Sequence, residues 1–224
     1  MSNVQYPKLD ERLQAAADLF TACDTGADIG ADHGRLSCYL LAQNRCKRMI
    51  VSDISAASLA KAKQLLARHS LADRADFRVA DGLQALDEPA GCAAICGMGG
   101  RVMAEILKAG RERLRGAALV LSCHTELPQL RRTLMDIDYH ISAERLVRAK
   151  SRYYIVLRAE NGKEQYSDKE LYLGPVLMRE RPPLWLPYLQ WRRDVVQCEQ
   201  GQEERLNWIL EELKHETADG QGRI

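Results

Sequence analysis

Three aspartates in the first quarter of the chain stand where short apolar segments end, a position from which a carboxylate can bind a ligand. Two of them lie in the segment Asp28-Ile-Gly30-Ala-Asp32-His-Gly34, and Asp53 closes the apolar run that starts at Arg48. A carboxylate repels a diphosphate and attracts an ammonium or sulfonium ion. The pattern therefore favours S-adenosylmethionine (SAM) over a dinucleotide, which prefers G-x-G-x-x-G.

The glycines around these carboxylates indicate a tight turn between a strand and a helix. Gly30 and Gly34 separate the predicted strand Ala27–Gly30 from the predicted helix Arg35–Leu41. A glycine adopts positive φ easily and lets a ligand approach the backbone, and the helix start presents unpaired N–H groups. The spacing is also compatible with a purely structural βα turn in another doubly wound protein.

Two later acidic positions fit the ribose and adenine of the same ligand. Asp53 ends the second predicted strand, where a carboxylate accepts hydrogen bonds from ribose hydroxyls, and Ile54 is assigned to the cofactor site with it. Asp81 and Gly82 follow the third strand, where the carboxylate could accept from the adenine amine. The alternatives are a helix N-cap for Asp53 and an ordinary Asp-Gly turn for Asp81.

A third glycine-rich segment, Gly97-Met98-Gly99-Gly100, follows the predicted strand Cys92–Cys96. No G-K-[ST] follows it, which excludes a P-loop. In SAM-dependent enzymes this edge of the sheet is where the methyl group meets its acceptor, and Gly97, Met98 and Gly99 are assigned to the cofactor site.

Alternating apolar segments predict an α/β protein with a Rossmann-like methyltransferase sheet in the order 3-2-1-4-5-7-6. The predicted strands are Ala27–Gly30, Arg48–Asp53, Asp76–Ala80, Cys92–Cys96, Ala117–Ser122, His140–Val147 and Arg152–Ala159. The predicted helices are Lys8–Cys23, Arg35–Leu41, Ala56–His69, Arg101–Ala109 and Leu127–Asp136. Residues 1–160 form the predicted SAM-binding domain and residues 161–224 a small helical domain, whose main helix runs from Tyr188 to about Glu216 after a segment that Pro187 keeps from being helical.

Composition restricts the location and the partners of the chain. The seven cysteines form no C-x-x-C pair, which indicates a reducing compartment and no zinc site. With no signal peptide and no long apolar run, we expect a cytoplasmic protein without a membrane partner. Residues 101–158 hold 12 Lys/Arg and 6 Asp/Glu, a basic excess that is either a phosphate-facing surface or ordinary solvated helix faces.

Five segments together resemble one family, the bacterial tRNA (adenine22-N1)-methyltransferases, TrmK. They are LDERL (Leu9–Leu13), ADIGADHGRL (Ala27–Leu36), DGL (Asp81–Leu83), GMGG (Gly97–Gly100) and LGPVL (Leu173–Leu177). The resemblance implies a Rossmann-like catalytic domain, a C-terminal coiled-coil-like domain, and methyl transfer from SAM to N1 of adenine 22 in tRNA. It maps Asp28, Gly30, Asp32 and His33 onto the first motif. Two segments depart from it: Gly34-Arg35-Leu36-Ser37, and Ser122-Cys123-His124 on the acceptor side.

The implied reaction needs no general base, because adenine N1 attacks the methyl group through its own lone pair. The ring becomes cationic, so a nearby carboxylate stabilises it or accepts from the N6 amine, and Asp32 is the candidate catalytic residue. The alternatives for Asp32 are binding the ammonium group of SAM and capping the helix. The tRNA is the expected partner, a monomer is favoured, and the candidate RNA-binding residues are Arg101, Arg111, Arg113, Arg115, Arg131 and Arg132. The alternatives are a SAM-dependent enzyme for another RNA site or a small molecule, and a non-catalytic SAM- or RNA-binding module.

Overall fold

The computed structural model describes the backbone of residues 6–221 and the side chains of residues 6–216. Its centre is a seven-stranded sheet in the order β3-β2-β1-β4-β5-β7-β6, which confirms the predicted order. The strands are β1 Cys23–Ile29, β2 Cys46–Asp53, β3 Ala75–Val79, β4 Cys92–Met98, β5 Ala118–Cys123, β6 Tyr139–Ala149 and β7 Arg152–Asn161.

Strands β1 to β5 are parallel, and β7 pairs antiparallel with both β5 and β6. The carboxyl ends of β1 and β4 therefore meet at one edge of the sheet, where open α/β sheets bind their ligands. We call this the carboxyl edge and the opposite one the amino edge. The central strands are almost wholly apolar because helices cover both of their faces.

The helices are α1 Glu11–Leu19, α2 Arg35–Ala42, α3 Ala56–Arg68, α4 Gly100–Leu114, α5 Leu127–Asp136, α6 Asp168–Leu173, α7 Pro175–Glu180, α8 Trp185–Gln197 and α9 Glu203–Gln221. Within residues 6–221, no helix combines the length and the apolar character that crossing a bilayer requires. The chain divides into two compact units, Met1–Glu164 and Gln165–Ile224.

Three predicted helices differ from the observed ones by more than one residue, for local reasons. Helix α1 is shorter, because the Asp10 carboxylate caps it by accepting from the Leu13 N–H at 2.9 Å and Cys23 already belongs to β1. Helix α4 extends to Leu114 because its apolar face remains buried beyond Ala109. The long C-terminal helix is divided into α8 and α9 by a turn in which Gly201 has φ +72°.

The second unit contains α6 to α9 and buries apolar side chains of its own, including Trp185 and Leu189. Pro187 lies in the first turn of α8, although it was predicted to exclude helix there. The first N–H groups of a helix have no intrahelical partner, so a proline in this turn removes no hydrogen bond. Glu212 is buried and pairs with Lys169 at 2.8 Å, joining α9 to α6.

Candidate functional site

A cavity of about 410 Å³ opens at the carboxyl edge of the first unit. It is lined by Arg12, Leu13, Asp28, Gly30, Ala31, Asp32, His33, Arg35, Leu36, Cys96, Gly97, Met98, Ser122 and His124. Six of the predicted site residues are among them: Asp28, Gly30, Asp32, His33, Gly97 and Met98. The sequence motifs after β1 and β4 therefore meet in one place, as the parallel topology requires.

The turn after β1 is held in a left-handed backbone conformation at three residues. Gly30, Asp32 and Gly34 have φ of +70°, +47° and +69°. A Cβ atom on Gly30 would overlap the Met98 side chain, which explains the glycine. Gly34 was predicted to bind cofactor but lies outside the cavity lining. A Cβ atom there would be 2.7 Å from that of Ala62, so this glycine lets α2 pack on α3.

Asp28 is a buried carboxylate that lines the cavity. The Ser37 hydroxyl donates to its Oδ2 atom at 2.6 Å, and no residue in the described part of the chain forms an ion pair with it. Burial raises the pKa of Asp28 to about 6, although the Ser37 hydrogen bonds act in the opposite direction. A buried anion without a cation is costly, so Asp28 is suited to a cationic ligand group.

Asp53 is held at the end of β2 by two backbone donors. Its Oδ1 atom accepts from the Ser55 N–H at 2.8 Å and its Oδ2 atom from the Asp32 N–H at 3.0 Å. Each carboxylate oxygen has two acceptor sites, which leaves one on each oxygen for hydroxyl groups of a ligand. The adjacent Ile54 is 73% exposed, which is unusual for a large apolar side chain. A flat ligand ring bound beside it would bury this apolar surface.

The loop after β4 contains an irregularity at the cavity. The register between β4 and β5 shifts between Cys96 and Met98, and the intervening Gly97 has φ +85°. Bulges of this kind redirect backbone groups beside active sites. Gly99 lies outside the cavity lining, at the N-cap of α4. A Cβ atom on Gly100 would lie 2.6 Å from the Thr125 carbonyl oxygen, so that glycine admits the β5–α5 loop.

Asp81 and Gly82 line a second cavity, of about 260 Å³, between a short helical turn at 82–85 and α4. The exposed apolar side chain of Val102 also lines it. These two residues therefore lie apart from the first cavity, on the side of the sheet edge that faces β3.

Asp32, the candidate catalytic residue, lies on the rim of the first cavity with its side chain 70% exposed. Its Oδ1 atom is 3.6 Å from the Nε2 atom of His33, and that nitrogen is 3.2 Å from the Lys61 ammonium. Its backbone N–H is the group that donates to Asp53. The turn therefore fixes the backbone of Asp32 while its carboxylate remains accessible to a second substrate.

A cluster of Arg12, His124 and Tyr154 also lies at the cavity, and it was not predicted, although the resemblance placed His124 on the acceptor side. The Arg12 Nη1 atom lies 3.3 Å from both ring nitrogens of His124, and its guanidinium lies 5.0 Å from the centroid of the Tyr154 ring. The rings of His124 and Tyr154 meet edge to face at 6.1 Å. Burial and the Arg12 charge lower the pKa of His124. The amphipathic pattern of α1 indicated a covering helix, but nothing in it indicated which residue reaches the cavity.

The predicted RNA-binding arginines do not form one surface. Arg131 is wrong as an RNA contact, because its side chain is 0% exposed and forms a buried ion pair with Glu144 at 2.6 Å. Its neighbour Arg132 is exposed on α5. Arg101 is exposed at the start of α4, beside the cavity, and pairs with Glu126 at 3.3 Å.

The other three predicted arginines, Arg111, Arg113 and Arg115, lie at the end of α4. Since α4 begins at the carboxyl edge and runs back to the start of β5, they lie at the amino edge, about 18 Å along the helix from Arg101. Arg111 pairs with Asp138 at 2.5 Å and Arg113 donates to the Leu86 carbonyl at 3.2 Å. The structure therefore separates this triplet from the first cavity, although Arg113 lines the second.

Comparison with known proteins identifies the family. The model of the family TrmK, tRNA (adenine(22)-N(1))-methyltransferase, matches residues 26–218. The chain belongs to the TrmK family. The match includes the turn after β1, the loop after β4 and most of the second unit, so it extends over both parts of the molecule.

Curated and solved relatives of the TrmK family agree with this assignment. The chain is 28% identical over 196 residues to the tRNA (adenine(22)-N(1))-methyltransferase of Bacillus subtilis (strain 168), covering 84% of this chain and 82% of that protein. The solved structure of the B. subtilis M1A22 tRNA methyltransferase TrmK matches with a TM-score of 0.78 and 25% identity, over 92% of this chain and 96% of that one. A Streptococcus pneumoniae protein solved in complex with S-adenosyl-L-methionine matches with a TM-score of 0.85 and 26% identity, over 92% of this chain and 100% of that one.

Proposed function

We propose that this protein transfers the methyl group of SAM to N1 of adenine 22 in tRNA. The observation that carries the proposal is the cavity at the ends of β1 and β4, where an unpaired buried carboxylate, Asp28, meets two glycine-rich turns. It occurs in a chain that matches the TrmK family over residues 26–218. SAM supplies a methyl group activated by a sulfonium ion.

Three features support SAM as the donor. Asp28 accepts hydrogen bonds from the ammonium group of SAM, which provides the counterion that the buried carboxylate lacks. Asp53 accepts from the ribose hydroxyls through the lone pairs that Ser55 and Asp32 leave open. Ile54 packs against the adenine ring, with Asp81 and Gly82 on its far side.

Asp32 is the proposed catalytic residue. Its exposed carboxylate on the rim stabilises the positive charge that moves from sulfur to the adenine ring, or accepts a hydrogen bond from the N6 amine. Most of the acceleration comes from alignment of N1, the methyl group and sulfur. We expect Asp32→Asn to lower the rate constant of single-turnover methylation while the dissociation constant for SAM changes less than about threefold.

His124 is the proposed contact for the acceptor base, since it lines the cavity after β5, with β4 between it and the Asp32 turn, and presents an aromatic ring. Because its pKa is lowered, the imidazole is neutral near pH 7 and does not repel the cationic product. We expect His124→Ala to raise the KM for tRNA about tenfold or more without weakening SAM binding, as loss of base stacking predicts. His140→Ala, at the amino edge, is the matched control and leaves both constants unchanged.

The nucleotide at position 22 lies in the D-arm, so its N1 edge becomes accessible only when the base leaves its stack. That step requires contacts to the RNA backbone near the cavity. Arg101 on α4 and Arg132 on α5, two helices that begin at the carboxyl edge beside the cavity, are proposed as such contacts.

The decisive experiment uses methyl-labelled SAM and two tRNA transcripts that differ only at position 22, adenine in one and guanine in the other. We expect label in the adenine transcript alone, recovered as 1-methyladenosine after digestion. Equal labelling of both transcripts would assign the enzyme to another RNA site. Tight SAM binding with no transfer to either transcript would identify a non-catalytic binding module.

A further inference from the structure

The turn between β6 and β7 carries a cluster of cations beside the cavity. Residues 145–153, RLVRAKSRY, contain four cations and no acid. We define the hairpin patch as Arg145, Arg148, Lys150 and Arg152, all of which are exposed. The adjacent Glu144 does not neutralise the patch, because it is buried against Arg131.

The topology places the hairpin patch at the carboxyl edge. Leu119 pairs with Ala159 and Leu121 with Leu157, so the same register sets Ile155 beside the end of β5. Arg152 lies three residues further, about 10 Å beyond the last residue of that strand at the usual rise. The turn therefore projects past the sheet on the side where the cavity opens.

Tyr154 connects the hairpin patch to the cavity. Its ring contacts both Arg12 and His124, and both of those residues line the cavity. The adjacent Tyr153 carries the Arg148 guanidinium at 5.7 Å from its ring centroid. The nearest residue of the patch, Arg152, is thus two positions along β7 from Tyr154, which contacts the proposed site of the acceptor base.

The charges of the hairpin patch are available to a ligand. Within the described side chains, residues 6–216, none of the four cations forms an ion pair. This distinguishes them from Arg111, which pairs with Asp138, and from Arg101, which pairs with Glu126. Exposed cations without acidic neighbours, beside a site for a nucleobase, are what a phosphate backbone requires.

We propose that the hairpin patch binds the phosphate backbone of the substrate RNA next to the methylated nucleotide. The proposal rests on the proposed function, which makes RNA the substrate. Contacts of this kind fix the position and orientation of the RNA and carry no base specificity. The patch would hold the D-arm while the target base leaves its stack and enters the cavity beside Tyr154.

The test compares two triple variants with the same change in net charge. One is Arg148→Glu, Lys150→Glu and Arg152→Glu in the hairpin patch. The matched control is Arg68→Glu at the end of α3 with Arg111→Glu and Arg115→Glu at the end of α4, all at the amino edge and outside the linings of both cavities. Binding of an unmodified tRNA transcript is measured by filter binding between about 50 and 200 mM salt, and SAM binding is measured by calorimetry on the same preparations.

We expect the hairpin variant to bind tRNA at least about tenfold more weakly, with a salt slope smaller by about three, one for each lost phosphate contact. The control should stay within about twofold of the wild type. SAM affinity should be unchanged in both, which also shows that both are folded. If the hairpin variant does not fold, the same three positions changed to glutamine replace it, with a smaller loss expected.

Equal losses of tRNA affinity in both triple variants would show that only the overall charge matters and would overturn the proposal. Wild-type tRNA affinity in the hairpin variant would also overturn it. The proposed function fails separately, when the wild-type protein does not methylate the adenine-22 transcript. If the wild type methylates that transcript and the hairpin variant still binds it fully, the function stands and this surface is wrong.

Discussion

SAM binding should depend on pH through the protonation of Asp28. Burial raises the pKa of this carboxyl to about 6, and only the ionised form attracts the ammonium group of SAM. Bound SAM in turn stabilises the carboxylate and lowers its pKa. Binding therefore releases a proton wherever free Asp28 is still protonated, and SAM affinity rises with pH through about 6.

The size of the expected pH effect on SAM affinity follows from the pKa of Asp28. At pH 5 about one Asp28 in eleven is ionised, whereas at pH 7.5 almost all are, so the dissociation constant for SAM should be about tenfold larger at pH 5. Calorimetry across this range, in two buffers with different ionisation enthalpies, measures both the affinity and the protons released. We expect close to one proton released at pH 5 and almost none at pH 7.5.

Two controls isolate Asp28. The ligand 5′-methylthioadenosine retains the adenosine part and lacks the amino acid part, so its affinity should not change by more than about twofold over the same range. The variant Asp28→Asn should bind SAM weakly at every pH. Any slope that this variant retains comes from groups other than Asp28, such as His124, which also lines the cavity. An equal slope for SAM and 5′-methylthioadenosine, or an unchanged slope in Asp28→Asn, would refute the assignment of Asp28 to the ammonium group.

Three further predictions concern the stability and geometry of the site. Because the pKa of Asp28 is raised in the folded protein, ionisation of Asp28 lowers the stability of the wild type as pH rises from about 4 to about 6. The unfolding free energy of Asp28→Asn, relative to that of the wild type, should therefore increase by up to about 3 kcal/mol between pH 4 and pH 7, as measured by urea unfolding. Gly30→Ala should weaken SAM binding, because alanine is strained at φ +70° and its Cβ displaces the end of the Met98 side chain, which lines the same cavity. Gly116→Ala, at φ +83° with open space, should cost only about 1 kcal/mol of stability and leave SAM affinity unchanged. Arg131→Ala should destabilise the protein by about 3 to 5 kcal/mol, since it breaks a fully buried ion pair with Glu144, while Arg132→Ala should cost less than about 1 kcal/mol. Equal melting temperatures for these two variants would contradict the role given to the buried pair.

Much of the fold and of the donor site followed from local sequence. The segment from Asp28 to Gly34 predicts a turn because glycine spacing and a change from period 2 to period 3.6 act over a few residues. Asp53 could be placed near this turn because the carboxyl ends of parallel strands lie at the same edge of a sheet. These local signals, with the alternation of strands and helices, sufficed for the sheet order that the structure has.

Tertiary packing decided the rest. Arg12, His124 and Tyr154 come from α1, the β5–α5 loop and β7, and their meeting depends on the rotation of a helix over a sheet. Arg131 and Arg132 are neighbours of the same type, yet one is buried and the other exposed, because only one faces β6. Hydrophobic periodicity predicts which residues within one helix or strand are buried. Which edge of the sheet a charged side chain reaches depends on how distant strands pair.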